Sequence, residues 1–418
     1  EASDQKIYES VSHYQIKKSN ISQIPPLDYL NDEQRKYVID EGGVNNRLYK
    51  CLLFIESSEH IKAGSLNLKY SNNYRSINDY MIEQEVWNEN KEKLLHRSNL
   101  SKLSDFQQVL KVLKDQMHDQ YVETNDNAGK NPHLSFNRSD KPVLETPKND
   151  PSQNEFVKNL LAEGDVIPLV DVLADVAETT EFLEAFTHFA LKGSKRNPDN
   201  ETLFAGIIAL GCNIGVRKMG KITKELGAEK LENTVRWHFT RENLSEANNR
   251  ILEVTDRLAI PKFLKELINE MHTSSDGQKF GVSVPSIHSS YSYKYFGTGK
   301  GVSAYSFIDE YSRVFYDTVI SSSEREAAYV LDGLLYNDVV ESSIHSTDTH
   351  GYTEVIFGIC NSLGIEFAPR IKSPGSQIIY TFKDRPRKHY EDLGYKVLPE
   401  KAKYINVEIL EEQWDNIL

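Results

Sequence analysis

The chain has 418 residues, of which 39% are hydrophobic, enough apolar material for roughly two to four domains that each bury a core. Its formal net charge of −13 excludes a generally basic surface, so any contact with nucleic acid must come from local basic patches. The cysteines, Cys51, Cys212 and Cys360, lie far apart without a disulfide or zinc spacing, which favours a reducing compartment.

Helical periodicity dominates the first two thirds of the chain. Apolar residues recur at three-to-four spacing from Leu48 to Ile55 and from Leu103 to Met117, which predicts a helical domain over 1–123, of a dimerisation or scaffold type. Residues 124–153 are rich in Asn, Asp, Lys and Pro and predict a linker. Residues 154–270 return to helical spacing and predict a second helical domain that precedes a catalytic one.

The longest apolar stretch, residues 203–216, contains Gly206, Gly211 and Asn213. It is shorter than the ~20 residues that a membrane span needs, so it predicts a buried helix and no membrane partner.

The sequence pattern changes from helical to strand-like after Ser275. Phe280, Val282 and Val284 alternate with polar residues, which predicts a half-buried strand that begins at Asp276. Further strands are predicted over 302–308 and 314–320. Ser323 and Glu326 then have the spacing of a capping box, which predicts a helix whose apolar stripe begins at Ala327.

A short strand over 342–347 runs into Asp348, a helix follows and ends at Gly364, and another strand is predicted over 365–371. The order β-β-β-α-β-α-β is typical of a ribonuclease-H-like mixed sheet. We therefore predict a multidomain α+β protein, mostly helical in its first two thirds, with a ribonuclease-H-like mixed α/β catalytic domain over 271–418.

Asp276 and Asp348 are the candidate catalytic and metal-binding residues. In such a sheet their strands are neighbours, so we expect their carboxyl groups within ~8 Å of each other, as a pair of divalent cations would require. Each residue also has an ordinary interpretation, Asp276-Gly277 as a turn and Asp348 as a helix N-cap.

Several stretches of the chain resemble the replicative transposases of the Tn-three family. The resemblance covers most of the chain, and its matching segments are Asn46-Arg47-Leu48-Tyr49, Gly211-Cys212-Asn213-Ile214-Gly215, Trp237-His238, Ser275-Asp276-Gly277-Gln278, Lys294-Tyr295-Phe296-Gly297, Asp348-Thr349-His350-Gly351-Tyr352, Phe367-Ala368-Pro369-Arg370-Ile371 and Trp414-Asp415-Asn416-Ile417-Leu418.

The resemblance implies a DNA transposase in which Asp276 and Asp348 are the first two members of an Asp-Asp-Glu triad. It further implies Mg²⁺, with Mn²⁺ as a substitute, cleavage at transposon ends, strand transfer in replicative transposition, and paired protomers acting on terminal inverted repeats and target DNA. A bacterial, cytoplasmic location at the nucleoid is expected.

The family's glutamate is expected beyond the last matching segment. The resemblance therefore implies a catalytic domain that is incomplete at its carboxyl end, and residues 1–418 alone are expected to show weak or absent DNA cleavage. Glu408, Glu411 and Glu412 fall within the matched segment and are interpreted as solvated surface. Two alternatives stay open: a catalytically incomplete dimerisation or DNA-scaffolding module, and a nuclease of the ribonuclease H type.

Other candidates are weaker. His350, two residues after Asp348, is a candidate neighbour of the active site, with a surface role about equally supported. The candidate DNA-binding residues are basic side chains in the catalytic region, with ordinary solvated charge as the alternative. They are Lys294, Lys300, Arg370, Lys372, Arg385, Arg387 and Lys388, together with Lys383.

Overall fold

A computed structural model describes residues 4–17, 25–40, 43–71, 73–145, 166–191, 197–223, 226–259, 270–283, 286–398 and 401–418. The fold divides into two units. Unit 1 comprises residues 1–104, 280–302 and 321–323, and unit 2 comprises residues 105–279, 303–320 and 324–418. The predicted domain boundaries at 123, 153 and 270 and the predicted domain types stay predictions.

Unit 1 begins with helices and one short hairpin. The helices are α1 (Gln5–Lys17), α2 (Asp32–Val38), α3 (Asn46–Lys62) and α4 (Gln84–Arg97), and the hairpin pairs β1 (Ile39–Asp40) with β2 (Gly43–Val44). Asn31 starts α2 with a capping box. Its side chain accepts from the Gln34 N–H, and the Gln34 side chain accepts from the Asn31 N–H. The buried residues of α3 are Tyr49 and Leu53. Each lies one position along the chain from a residue of the predicted apolar face, which included Leu48 and Leu52.

Unit 2 starts with α5 (Phe106–Asp126), which extends into the segment predicted as a linker. Beyond it, β3 (Leu134–Phe136) and β4 (Pro142–Leu144) form an antiparallel hairpin, so that part of the segment is structured. The Asn137 side chain shapes the turn by accepting from the N–H groups of Ser139 and Lys141. Residues 146–153 of the predicted linker lie outside the described residues.

The predicted second helical region is helical where it is described. Its helices are α6 (Leu169–Thr180), α7 (Asn200–Gly211), α8 (Val216–Ile222), α9 (Ala228–His238) and α10 (Arg241–Thr255). Among the described residues, no helix has both the length and the apolar composition that crossing a membrane requires.

The main sheet contains β5 (His272–Val282), β6 (Ser290–Tyr291), β7 (Lys300–Asp309), β8 (Val314–Ser321), β9 (Ile344–Thr347) and β10 (Glu366–Phe367). Its order is β10-β9-β5-β7-β6, and β8 also pairs with β7. The pairs β5–β9 and β9–β10 are parallel, and β6–β7 is antiparallel.

The helices associated with this region are α11 (Tyr293–Phe296), α12 (Val330–Leu335) and α13 (Glu354–Leu363). The mixed helix and sheet content in this order is consistent with the predicted ribonuclease-H-like fold. The remaining elements are β11 (Ile378–Thr381), α14 (Arg387–Asp392), β12 (Lys401–Tyr404), α15 (Val407–Glu412) and α16 (Trp414–Ile417), with β11 and β12 parallel.

Two strands differ from their predicted lengths. Strand β5 starts at His272, so Asp276 lies inside the strand and does not open it. Thr273 and Ser275 are polar and yet buried, so the first residues of the strand lack the apolar alternation that predicts one. Strand β10 is shorter than predicted because Pro369 has no N–H to donate, although the N–H groups of Ala368 and Arg370 still donate to carbonyls of β9.

The predicted capping box at Ser323 and Glu326 is wrong. A 3₁₀ turn, Glu326–Tyr329, precedes α12, and it begins after Arg325 without a side-chain cap hydrogen bond. Glu326 is buried instead of reaching back along the chain, because α12 packs against the sheet. Gly333 brings that helix so close that an added Cβ would lie 2.4 Å from the Phe307 ring.

A buried polar network joins β5 to β9 close to the candidate residues Asp276 and Asp348. The His345 imidazole is fully buried and contacts two hydroxyls of β5, with Nδ1 2.8 Å from Thr273 Oγ1 and Nε2 2.9 Å from Ser275 Oγ. Ser275 Oγ is also 2.7 Å from the Tyr305 hydroxyl. Neutral imidazole has one donor and one acceptor nitrogen, and a hydroxyl can match either, so both ring nitrogens are satisfied without a charge on the ring.

Burial, with a smaller contribution from nearby His272, lowers the pKa of His345 to about 4. The unfolded chain binds this proton near pH 6.5 and the folded chain does not, so acidification between these values favours unfolding. We expect the free energy of unfolding to fall by about 2 kcal/mol from pH 7 to pH 5 through this residue. Urea unfolding at both pH values measures it, and His345→Gln should lose this part of the pH dependence. An unchanged dependence in that variant would contradict the assignment.

Candidate metal centre

Three carboxylates meet at one end of the β5–β9 pair. Asp276 lies within β5, Asp348 follows β9 directly, and Glu326 begins the 3₁₀ turn before α12. Each offers a carboxylate oxygen, and the three oxygens lie within 4.8 Å of one another. The predicted proximity of Asp276 and Asp348 is confirmed.

The parallel register brings the two aspartates together. Ser275 pairs with Thr347, so the next residues along the two strands are Asp276 and Asp348. Because strand side chains alternate between faces, the buried Ser275 and Thr347 are followed by the more accessible Asp276 and Asp348.

The turn after β9 holds the Asp348 carboxylate in place. Its Oδ1 accepts from the backbone N–H groups of His350 (2.8 Å) and Gly351 (3.2 Å), and its Oδ2 accepts from His350 Nδ1 (2.9 Å). Burial acts to raise the pKa of Asp348, but these hydrogen bonds outweigh it and lower the pKa below its usual value. The structure thus places His350 beside the site through Asp348, with its side chain largely exposed.

Glu326 has the opposite environment. It is 7% exposed, and Lys279 Nζ lies 3.6 Å from Oε1. Burial raises the pKa of Glu326; Lys279 opposes the rise, and the Asp348 and Asp276 charges add to it. Two carboxylates of this centre therefore differ in how strongly their surroundings favour the ionised form.

A cavity of about 520 Å³ opens beside the aspartates. Hydroxyl and amide side chains line it, together with one apolar residue: Ser274, Gln278, Ser306, Ser346 and Ile308. The hydroxyl and amide groups of this lining donate and accept hydrogen bonds without carrying charge.

The predicted basic residues are distributed over both units. Lys294 and Lys300 lie in unit 1, where their ammonium groups stand 4.8 Å from the rings of Tyr295 and Tyr291. Arg370 lies in unit 2 near Asp348, since its backbone N–H donates to the Thr347 carbonyl, and its side chain is exposed.

The other predicted basic side chains of unit 2 fall into two groups. Lys372, Lys383 and Lys388 are exposed. Arg385 instead forms an ion pair with Asp115 at 3.2 Å, and Arg387 forms one with Glu391. The charge of these two arginines is already balanced within the fold.

The donor set fits a hard divalent cation. Three carboxylates supply only oxygen ligands, which Mg²⁺ and Mn²⁺ prefer, and none of the three offers the sulfur or nitrogen that favours zinc or copper. Asp276, Asp348 and Glu326 are the residues that could hold it.

Comparison with known protein families shows which family this chain belongs to. Residues 171–418 match the family model described as the Tn3 transposase DDE domain, a span that contains all three carboxylates. The chain belongs to the Tn3 transposase DDE domain family. Membership in this family implies a divalent-metal site.

Individual relatives match over most of this chain. The transposase for transposon Tn1546 of Enterococcus faecium is 27% identical over 400 residues, and that for Tn2501 of Escherichia coli is 26% identical over 404 residues; each alignment covers 94% of this chain. The transposase for transposon gamma-delta of Escherichia coli (strain K12) is 28% identical over 299 residues, 70% of this chain. The chain spans 39% of the length of the first two and 28% of the third.

Glu326 is the residue at this DDE-domain site that sequence reasoning missed. Its spacing from Ser323 predicted a helix cap, yet another feature of the sequence indicated that Glu326 faces the sheet. Glu326 lies one helical turn before the buried Val330, so an acid falls on the stripe that faces the sheet. An acid at such a position has to be compensated by neighbouring groups.

We expect Asp276→Asn and Asp348→Asn to weaken divalent-metal binding by about 10-fold or more, because each amide removes a negative charge from the donor set. Titration with Mn²⁺, followed by electron paramagnetic resonance of the free ion, measures this. Asp317→Asn is a matched control, since Asp317 is an exposed aspartate on β8. Equal Mn²⁺ affinity in all four proteins would exclude a metal centre at these aspartates.

Proposed function

We propose that this chain carries the metal centre of a DNA transposase, which cleaves phosphodiesters at transposon ends. The observation that carries the proposal is the meeting of Asp276 and Asp348 just beyond the paired residues of the adjacent parallel strands β5 and β9, in a chain of the Tn3 transposase DDE domain family. Relatives named as transposases over most of the chain support the same conclusion.

Asp276 and Asp348 would hold the cation, which we propose to be Mg²⁺ with Mn²⁺ as a substitute. When bound, the cation supplies positive charge to a phosphodiester under attack. The protein's own contribution is to position groups: the turn at His350 and Gly351 fixes the Asp348 carboxylate, and the hydroxyl-lined cavity offers donors to phosphate oxygens.

The proposal extends to the outcome of the reaction. Water attacks the phosphorus at the transposon end and the P–O3′ bond breaks, which leaves a 3′-hydroxyl on the element and a 5′-phosphate on the flanking DNA. That hydroxyl then attacks a phosphorus of the target DNA and displaces the 3′-oxygen of the target strand, as strand transfer in replicative transposition requires. A DNA substrate would place the protein at the bacterial nucleoid, and two protomers would act together on a pair of ends. Light scattering with and without end DNA tests the pairing.

Incubation of the chain with labelled DNA that carries the terminal repeats of its own element tests the cleavage proposal. We expect at most weak nicking at the 3′ ends with Mg²⁺ or Mn²⁺ and none with chelator. Asp276→Asn and Asp348→Asn should reduce nicking by orders of magnitude, because the reacting groups lose their alignment. Asp317→Asn should nick like the parent.

Cleavage that persists in both aspartate variants would refute the assignment of the site. The weak or absent cleavage expected of residues 1–418 stays a prediction, and the parent chain in the same assay tests it.

Exposed basic residues near Asp348 are the proposed contacts for DNA backbone phosphates. Arg370 and Lys372 follow the strand that pairs with β9, and both are exposed. Arg385 and Arg387 are less suited to this role, because each already forms an ion pair with a neighbouring acid.

We expect Arg370→Gln and Lys372→Gln each to reduce the salt dependence of DNA binding by about one unit in the log–log slope, since one phosphate contact contributes about 0.9. Arg385→Gln should leave the slope close to that of the parent and serves as the matched control. Fluorescence anisotropy over a series of salt concentrations measures the slopes. Identical slopes for the parent and the Arg370 and Lys372 variants would exclude this surface as a phosphate contact.

A further inference from the structure

We propose that Glu326 is a third carboxylate ligand of the metal centre, acting with Asp276 and Asp348. This inference rests on the proposed function and adds a residue to it. The Glu326 side chain belongs to the turn before α12, yet it offers an oxygen within 4.8 Å of oxygens from both aspartates. It therefore reaches the centre from an element separate from the two strands.

The first support is the environment of this carboxylate. Glu326 is 93% buried, and burial of a charged group costs free energy unless a cation compensates it. Lys279 Nζ is 3.6 Å away, longer than a direct hydrogen bond, and it donates at 2.9 Å to Ser303 Oγ. One lysine beside three carboxylates leaves negative charge that a divalent cation would balance.

The second support is the space that β5 leaves for this side chain. Gly277 follows Asp276, and a Cβ added there would lie 2.2 Å from Glu326 Oε1 and 2.5 Å from its Cδ. The carboxylate can reach the aspartates only because residue 277 has no side chain. At Gly281 on the same strand an added Cβ would meet its nearest neighbour, Phe296 Cδ1, at 3.8 Å, so close approach is specific to residue 277.

The third support is the way the turn is fixed. Ala327 and Val330 are buried in the hydrophobic core, and Gly333 lies against the Phe307 ring. These contacts hold the first turn of the helix on the sheet, which directs Glu326 toward Asp276 and Asp348. Packing, and not a flexible loop, therefore positions the carboxylate.

The test measures Mn²⁺ affinity of the full chain by electron paramagnetic resonance. Glu326→Gln keeps the size of the side chain and removes its charge, and we expect binding about 10-fold weaker or more. Glu324→Gln is the matched control: it removes the same charge two residues away, where the carboxylate is exposed and accepts from the Tyr329 hydroxyl. That variant should bind Mn²⁺ like the parent.

A second variant tests the same site without removing the carboxylate. Gly277→Ala introduces the Cβ that would displace Glu326, and we expect Mn²⁺ affinity to fall. Gly281→Ala should retain the parent affinity, because the added methyl has room. In the double variant Gly277→Ala with Glu326→Gln the losses should not add, since both act through one carboxylate.

The outcomes separate this inference from the proposed function. If Asp276→Asn and Asp348→Asn weaken Mn²⁺ binding while Glu326→Gln and Gly277→Ala do not, Glu326 serves only its ion pair with Lys279, and the inference is overturned while the metal centre stands. If the aspartate variants also bind like the parent, the metal centre and the inference fall together. Thermal unfolding without metal verifies that each variant is folded.

Discussion

The parallel register between β5 and β9 is the constraint on which the site depends. The pairing of Ser275 with Thr347 makes Asp276 and Asp348 neighbours, and a slip by one residue would turn one of them to the opposite face of the sheet. The buried His345 imidazole, held between Thr273 and Ser275, stabilises that register with hydrogen bonds that water cannot replace. The buried polar network around His345 thus helps to determine the positions of the Asp276 and Asp348 carboxylates.

The carboxylates are held in contrasting environments. Asp348 accepts hydrogen bonds from the turn that follows it, which favours its charged form, whereas Glu326 is buried beside two other acids. Groups with strongly perturbed surroundings that share one cleft are typical of functional sites, because such crowding lowers stability and persists only where it serves a purpose. The acidic net charge of the chain agrees with the proposal that only a few exposed cations, such as Arg370 and Lys372, contact DNA.

Much of the catalytic region could be predicted from the sequence. Strands with alternating polarity, Gly364 at the end of a helix and the order of elements were visible because each depends on local periodicity or local backbone preference. The errors came where tertiary contacts override local pattern. Thr273 and Ser275 are polar and yet buried, so the start of β5 was missed, and Pro-rich residues around 142 form a hairpin because the Asn137 side chain closes its turn.

The sequence by itself indicated the family, the two aspartates and the position of Asp348 directly after a strand, because these depend on motifs and on short-range order along the chain. Only the tertiary structure decided that Glu326 joins them. Its spacing from Ser323 suggested a helix cap, and no local pattern reports that Gly277, 49 residues earlier in the sequence, leaves room for its carboxylate. A contact of that kind depends on the packing of α12 against the sheet, which is a property of the assembled fold.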